Sequence, residues 1–267
     1  MEILGFIIAI IIGIILGVLG GGGSILSVPV LVYIYHIEPT TATAYSLFIV
    51  GLSSLIGVIP KYNKGLVHIK TAIIFGTPAL ISVFITRKFL IPSIPEEIIT
   101  ISNFVITKAI LTMLFFAILM IAASFSMIRK SIDCTLQIND IIITNYSSII
   151  IQGLLLGLLT GFVGAGGGFL IIPALVFRCK LPMKMAVGTS LLIIAANSII
   201  GFIGDLSIAT EIINWKLLII FTLLAIIGIF IGNYLTKFID GNKLKKGFGW
   251  FILIIGSFII IHELTSI

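Results

Sequence analysis

The sequence predicts an all-α polytopic membrane protein made of two copies of one helical unit, and three observations carry that prediction. Of the 267 residues, 59% are hydrophobic and only 10% are charged, with a mean hydropathy of +1.31. Apolar runs of about 18 or more residues are long enough to cross a bilayer as helices, and most of this chain consists of such runs. Residues 13–59 also align with residues 157–203 without a gap, at a constant offset of 144, and 17 of the 47 pairs are identical. The identities include Gly13/Gly157, Gly17/Gly161, Gly20/Gly164, Gly22/Gly166, Gly23/Gly167, Pro29/Pro173, Ser46/Ser190, Ser54/Ser198 and Gly57/Gly201. An Ile- and Leu-rich composition does not by itself put Gly, Pro and Ser in register, so the pattern reads as a duplication. A β-barrel would show short alternating segments instead. The first apolar run is expected to persist as a membrane segment. Glu2 is its only early charge, and it lacks the basic start and small-residue cleavage site of a signal peptide.

Each unit reads as four segments. The first unit spans 1–128, a link covers 129–146, and the second unit spans 147–267. A long apolar segment with a glycine break comes first, at about 3–35 and 147–178. A second helix follows at about 41–59 and 185–203, a third at 71–90 and 215–236, and a fourth at 104–128 and 247–262. Pro60, Pro92, Pro95, Pro182 and Gly241 mark the turns between them.

The glycine breaks are the strongest local signal. A continuous helix over residues 3–35 would be about 50 Å long at 1.5 Å per residue, against a hydrocarbon core of about 30 Å. Backbone released from a helix finds no hydrogen-bond partner in lipid, so a break belongs inside protein or along a cavity. Matching breaks in the two halves of a transporter point to a substrate site. Gly13-x-x-x-Gly17 and Gly157-x-x-x-Gly161 have the spacing of close helix packing. A nucleotide-binding loop does not fit, since no Lys-Ser/Thr follows the glycines.

Charge distribution bears on how the breaks run. If each glycine segment crosses once, the two sides of the membrane receive 9 and 6 Lys/Arg. If each enters and returns as a hairpin, the loops at 60–70, 129–146, 178–184 and 237–246 share a side and hold 12 of the 16, while the opposite loops hold 3. Cytoplasmic loops carry the excess of Lys and Arg, so the hairpin arrangement is expected. It makes the units inverted, puts both termini outside, and leaves Cys134 and Cys179 on the reducing side. The net charge of +6 is then a loop property, and no nucleic-acid partner is expected.

Little in the chain suggests catalysis. His36, His68 and His262 fall in links or at a helix end, no metal-ligand spacing exists, and no base stands beside a membrane serine. Neither an enzyme activity nor a cofactor is expected. Charge within the spans is also nearly missing, since Arg87 is counted with the loop at 87–103 and Asp205 and Glu211 with a link. Without an intramembrane carboxylate, downhill anion export is favoured over coupled uptake. What remains is bare backbone and neutral polar groups. The candidate binding residues are Gly20, Gly21, Gly22, Gly23, Ser24, Ser46 and Ser53 in the first unit, and Gly164, Gly166, Gly167, Gly168, Thr189, Ser190 and Asn197 in the second. Ser46/Ser190 and Ser53/Asn197 are matched pairs, and residues seven apart share a helix face. Two inverted hairpins would bring their glycine tips together, where exposed N–H groups suit a small oxyanion.

The paired G-x-x-x-G-x-x-G-x-G-G segments, each followed by Pro and Leu, and the AVGTSL run at 186–191 resemble the sulfite exporter TauE/SafE family, also called the 4-toluene sulfonate uptake permease family. The resemblance covers nearly the whole chain and is closest in the second unit. The first unit departs from it, with Ala44-Tyr45-Ser46 where the second has Gly188-Thr189-Ser190. The resemblance implies a permease or exporter for sulfite, organosulfonates or related sulfur anions in the bacterial inner membrane. The expected partners are therefore a small anionic substrate and the lipid bilayer, with a homo-oligomer left open. A channel, a carrier for another small anion, and a non-transporting scaffold subunit are the alternatives.

Overall fold

The computed structural model describes residues 2–95, 97–101, 104–128, 146–164, 166–177, 179, 181–206, 213–236 and 241–265. The expected link at 129–146 therefore lies almost wholly outside the described residues, as do Cys134 and Glu211. In the first half, α1 (Glu2–Leu19) runs into a 3-10 turn (Gly20–Leu26), then α2 (Ser27–Tyr33), α3 (Pro39–Asn63) and α4 (Ile69–Ile85). A π turn (Thr86–Leu90) carries α4 into the short α5 (Ile91–Ser93). Two short antiparallel strands follow, β1 (Glu97–Ile101) and β2 (Phe104–Thr107), pairing Ile101 with Phe104 and Glu97 with Thr107, and then α6 (Lys108–Ile128). The second half holds α7 (Tyr146–Val163), α8 (Gly168–Phe177), α9 (Met183–Leu206), α10 (Trp215–Leu235) and α11 (Gly241–Thr265). Five of the described helical stretches are long and apolar enough to span a membrane.

The strand pair stands where the fourth segment was expected to begin. A second difference concerns Pro60, expected as a turn but lying inside α3. Proline removes one donor and is tolerable close to a helix end. The stop comes five residues later, at Gly65. Its φ is +66°, its N–H bonds to Tyr62 O, and Leu66 N bonds to Lys61 O. That is a Schellman end, which needs a left-handed residue just beyond the helix.

The glycine segments double back. Gly5, near the start of α1, packs so closely on Tyr35, just past α2, that a Cβ there would lie 2.3 Å from the phenol oxygen. Gly23 lies against Ile12 and Leu16 of α1. In the second half Gly164 N donates to Thr160 O, and Gly167 packs on Thr160. Positive φ at Gly20, Gly164, Gly166 and Gly167 makes these reversals, and a side chain would resist each one.

The halves interlock by exchange. α1 packs on α10, and its counterpart α7 packs on α4; α3 pairs with α9, and α6 with α11. Small residues make the close approaches. A Cβ on Gly13 would lie 2.0 Å from Ala225 O, and one on Gly157 would lie 2.3 Å from Ala79 O. α3 and α9 run antiparallel, with Gly51 against Ser198 and Ile199, Gly201 against Leu47, and Gly188 against Lys61 near the end of α3 and Leu66 just past it. The start of α10 lies beside α3 through Asn214 N donating to Tyr45 Oη, and the start of α4 lies beside α9 through His68 N donating to Thr189 Oγ1. α3 and α9 form the centre, with 67% and 72% of their apolar windows buried against 39% for the other three spans.

Candidate functional site

The two reversals meet at the middle of the molecule. A Cβ on Gly21 would lie 2.0 Å from Gly168 Cα, and one on Gly168 would lie 2.0 Å from Gly21 Cα. No side chain fits between these strands of backbone, so glycine is required on both. Each tip also packs on the central helix of the other half. Gly20 lies against Ser190 and Val187 of α9, and Gly164 against Thr43 of α3 and the Arg87 guanidinium. Gly166 lies beside Ser198, where a Cβ would come within 2.6 Å of Oγ. α8 begins at Gly168, so its N-terminal end, with its partial positive charge, faces this crossing. Gly22 stands in the 3-10 turn.

Most of the sequence-predicted hydroxyls here already have protein partners. Ser24 Oγ donates to Gly21 O at 2.7 Å, Ser190 Oγ donates to Val187 O at 2.8 Å, and Ser53 Oγ donates to Ile49 O of its own helix. Ser46 and Ser27 share a hydrogen bond between their hydroxyls. Thr189 accepts the His68 N–H at 2.9 Å. Tyr45, its counterpart, accepts the Asn214 N–H at 2.7 Å. The first-half departure from Gly-Thr-Ser therefore keeps the same contact with a longer side chain.

A second set of buried polar atoms has no hydrogen-bond partner among the described residues. It comprises Ser54 Oγ, Ser198 Oγ and both amide atoms of Asn197. Ser54 and Ser198 are fully buried and Asn197 is 1% exposed. Buried polar groups are nearly always hydrogen-bonded, so this set stands out on α3 and α9. Gly51 brings α3 within contact of it, since a Cβ there would lie 3.2 Å from Ser198 Cβ. Ser54 stands one turn further along the same face of α3.

Charge within the spans corrects the sequence expectation. The helical run of the third segment continues to Ser93 and α9 continues to Leu206, so Arg87 and Asp205 fall inside helices rather than in links. They form an ion pair at 3.1 Å, with side chains 2% and 16% exposed. Arg87 Nη1 also donates to Thr43 Oγ1 at 3.0 Å. Arg87 Nε and Nη2 have no partner among the described residues. The signal in the sequence was helix length, because a 25-residue helix begun at Ile69 carries Arg87 inside it. The matching place in the other half holds Asn233, whose amide is also unpartnered among the described residues. The match follows from the contacts: Gly17 packs on Gly232 and Asn233, and its counterpart Gly161 on Thr86, the neighbour of Arg87.

No group of three or more metal-ligating side chains occurs among the described residues. Burial pushes the Cys179 thiol up to about 11, so it stays protonated and acts as a packing group.

The family model for sulfite exporter TauE/SafE matches residues 5–259. A Xylella fastidiosa protein described as "Probable membrane transporter protein" is 28% identical over 262 residues, covering 96% of this chain and 94% of its own. Bacillus subtilis YdhB, described in the same words, is 26% identical over 240 residues, covering 90% and 92%. A Methanocaldococcus jannaschii protein of the same description is 39% identical over 111 residues, covering 39% of this chain and 41% of its own. No solved structure matches the chain. With a family match running from α1 into α11 and relatives along most of its length described as membrane transporters, the chain belongs to the sulfite exporter TauE/SafE family of membrane transporters.

Proposed function

We propose that the protein carries small sulfur oxyanions, sulfite or organosulfonates, across the bacterial inner membrane, binding them beside the crossing of the glycine tips, against the central helices. One observation supports this reading above the others. Ser198 presents a buried, unpartnered hydroxyl against Gly166 of the second glycine turn, two residues before α8 begins, and Asn197 and Ser54 add buried, unpartnered polar atoms on the two central helices. Hydroxyl and amide donors with a helix N-terminus suit a compact anion. The antiparallel packing of α3 against α9 sets these residues between the two halves, where transporters built from inverted repeats bind substrate.

The expectation of downhill export rested on spans free of carboxylate. Asp205 stands inside α9, so that ground is gone, and direction becomes an experimental quantity. The test is radiolabelled sulfite flux in proteoliposomes, with membrane potential and pH gradient varied separately and organosulfonates, thiosulfate and sulfate as competitors. Saturable flux with counterflow is expected, and Asn197→Ala and Ser198→Ala should each weaken it. Folded wild-type protein without sulfite flux or competition would sink the sulfur-anion reading. Non-saturable flux would make the protein a channel.

A further inference from the structure

We propose that Arg87 is itself a ligand of the transported anion, gripping two of its oxygens through the one guanidinium edge that has no hydrogen-bond partner among the described residues. The inference rests on the oxyanion reading above and adds a charged, geometry-selective group to it. Arg carries five N–H donors in a fixed plane. Nη1 is occupied, donating to Asp205 Oδ2 at 3.1 Å and to Thr43 Oγ1 at 3.0 Å. Nε and Nη2 are buried and unpartnered among the described residues. These two nitrogens lie on the same edge, with their N–H bonds nearly parallel. That edge is the fork that fits two oxygens of a carboxylate, sulfur or phosphorus oxyanion.

A structural arginine is normally satisfied on that edge by a carbonyl or a second carboxylate. Here the neighbour is Gly164, at φ +70°, placed so that a Cβ would come within 2.2 Å of Nη2. The glycine keeps side-chain atoms away from this end of the guanidinium. Two residues on in the same turn, Gly166 packs on the unpartnered Ser198. The fork and the Ser198 hydroxyl thus flank one stretch of backbone. Asp205 then has a defined part. It holds the guanidinium at its far end and offsets its charge, which limits how tightly an anion can be held. The equivalent Asn233 can offer an amide but no fork, so the two halves do not hold an anion equally.

The test is equilibrium dialysis of radiolabelled sulfite against purified protein, with chloride as a competitor that cannot use a two-oxygen fork. Wild-type protein should prefer sulfite. Arg87→Lys keeps the charge but not the fork, and should lose about tenfold or more in sulfite affinity, while chloride competition changes by less than about threefold. Asp205→Asn should bind sulfite more tightly than wild type, because the guanidinium charge is no longer offset. A purely structural ion pair predicts the opposite for Asp205→Asn, namely weaker binding and a lower melting temperature. An unchanged sulfite-over-chloride preference in folded Arg87→Lys, or weaker binding in Asp205→Asn, would overturn the proposal and leave the transport reading standing. Should Arg87→Lys not fold, the direction of the Asp205→Asn change decides. Folded wild-type protein that binds no sulfite would remove both readings together.

Discussion

Two glycines whose Cβ positions would clash with each other's backbone set the finest constraint on this fold. At Gly21 an added methyl meets Gly168 Cα at 2.0 Å, and neither backbone can give way. Gly21→Ala should therefore lower stability by about 2 kcal/mol or more. Gly65 has φ +66° but nothing within 4 Å of its Cβ position, so Gly65→Ala bears only the left-handed strain, about 1 kcal/mol. Gly76 lies within α4 and its Cβ position has ordinary contact, 3.5 Å, with Ile193. Gly76→Ala should be neutral or stabilising by up to about 1 kcal/mol. Thermal melting of the three purified variants should rank them in that order; three equal losses would contradict the packing described here. The glycine pairs were legible because identical glycines recur at a fixed offset. The side chains without partners were not, since Ser53 and Ser54 look alike in a sequence, and only the packed structure shows Ser53 bonding the carbonyl of Ile49 in its own helix while Ser54 has no partner among the described residues.

At the scale of elements, the third helices are capped in the same way by different residues. His68 Nδ1 accepts the Thr71 N–H that starts α4, and Asn214 Oδ1 accepts the Leu217 N–H that starts α10. Each cap residue also donates its own N–H to a hydroxyl of the other half, His68 to Thr189 and Asn214 to Tyr45. Burial, with a smaller contribution from Lys70, lowers the His68 pKa below the ordinary 6.5. The folded protein thus binds this proton less readily than the unfolded chain does. The cap's contribution is complete above pH 6.5 and declines as the pH falls through the lower folded value. His68→Asn copies the other half's cap with a group that does not titrate. It should keep stability at neutral pH and remove this part of the acid sensitivity, measured as melting temperature against pH. An unchanged acid slope in the variant would show that His68 contributes nothing to it.

At the scale of the whole molecule, the contacts sort the loops onto two ends. Tyr33 donates to Glu263 at 2.8 Å, and Asn214 bonds Tyr45, so residues near 33–38, 214 and 263 share one end. His68 and Thr189 lie at the other, beside Leu66 and Gly188. That sorting matches the hairpin count of Lys and Arg rather than the single-crossing count. It leads to a labelling pattern. With Cys134 and Cys179 replaced by alanine, Glu38→Cys and Leu264→Cys should react with an impermeant thiol reagent in intact cells. Lys64→Cys should react only after permeabilisation. Labelling of Glu38→Cys and Lys64→Cys from the same side would rule out the topology.

Hydropathy, run length and registered glycines, all local properties of the chain, were enough to read the helical membrane class and the two glycine breaks from the residues alone. The sequence also carried the family resemblance. Only the tertiary structure decided that α1 packs on α10 and α7 on α4, since packing partners depend on small residues far apart in sequence. It also decided that Arg87 and Asp205 face each other inside the protein. Each ends an apolar run, where a charge reads as the start of a loop. Once the helical run from α4 and the end of α9 extend past those charges and pack together, water is excluded, and the pair becomes a buried guanidinium with one edge unpartnered among the described residues.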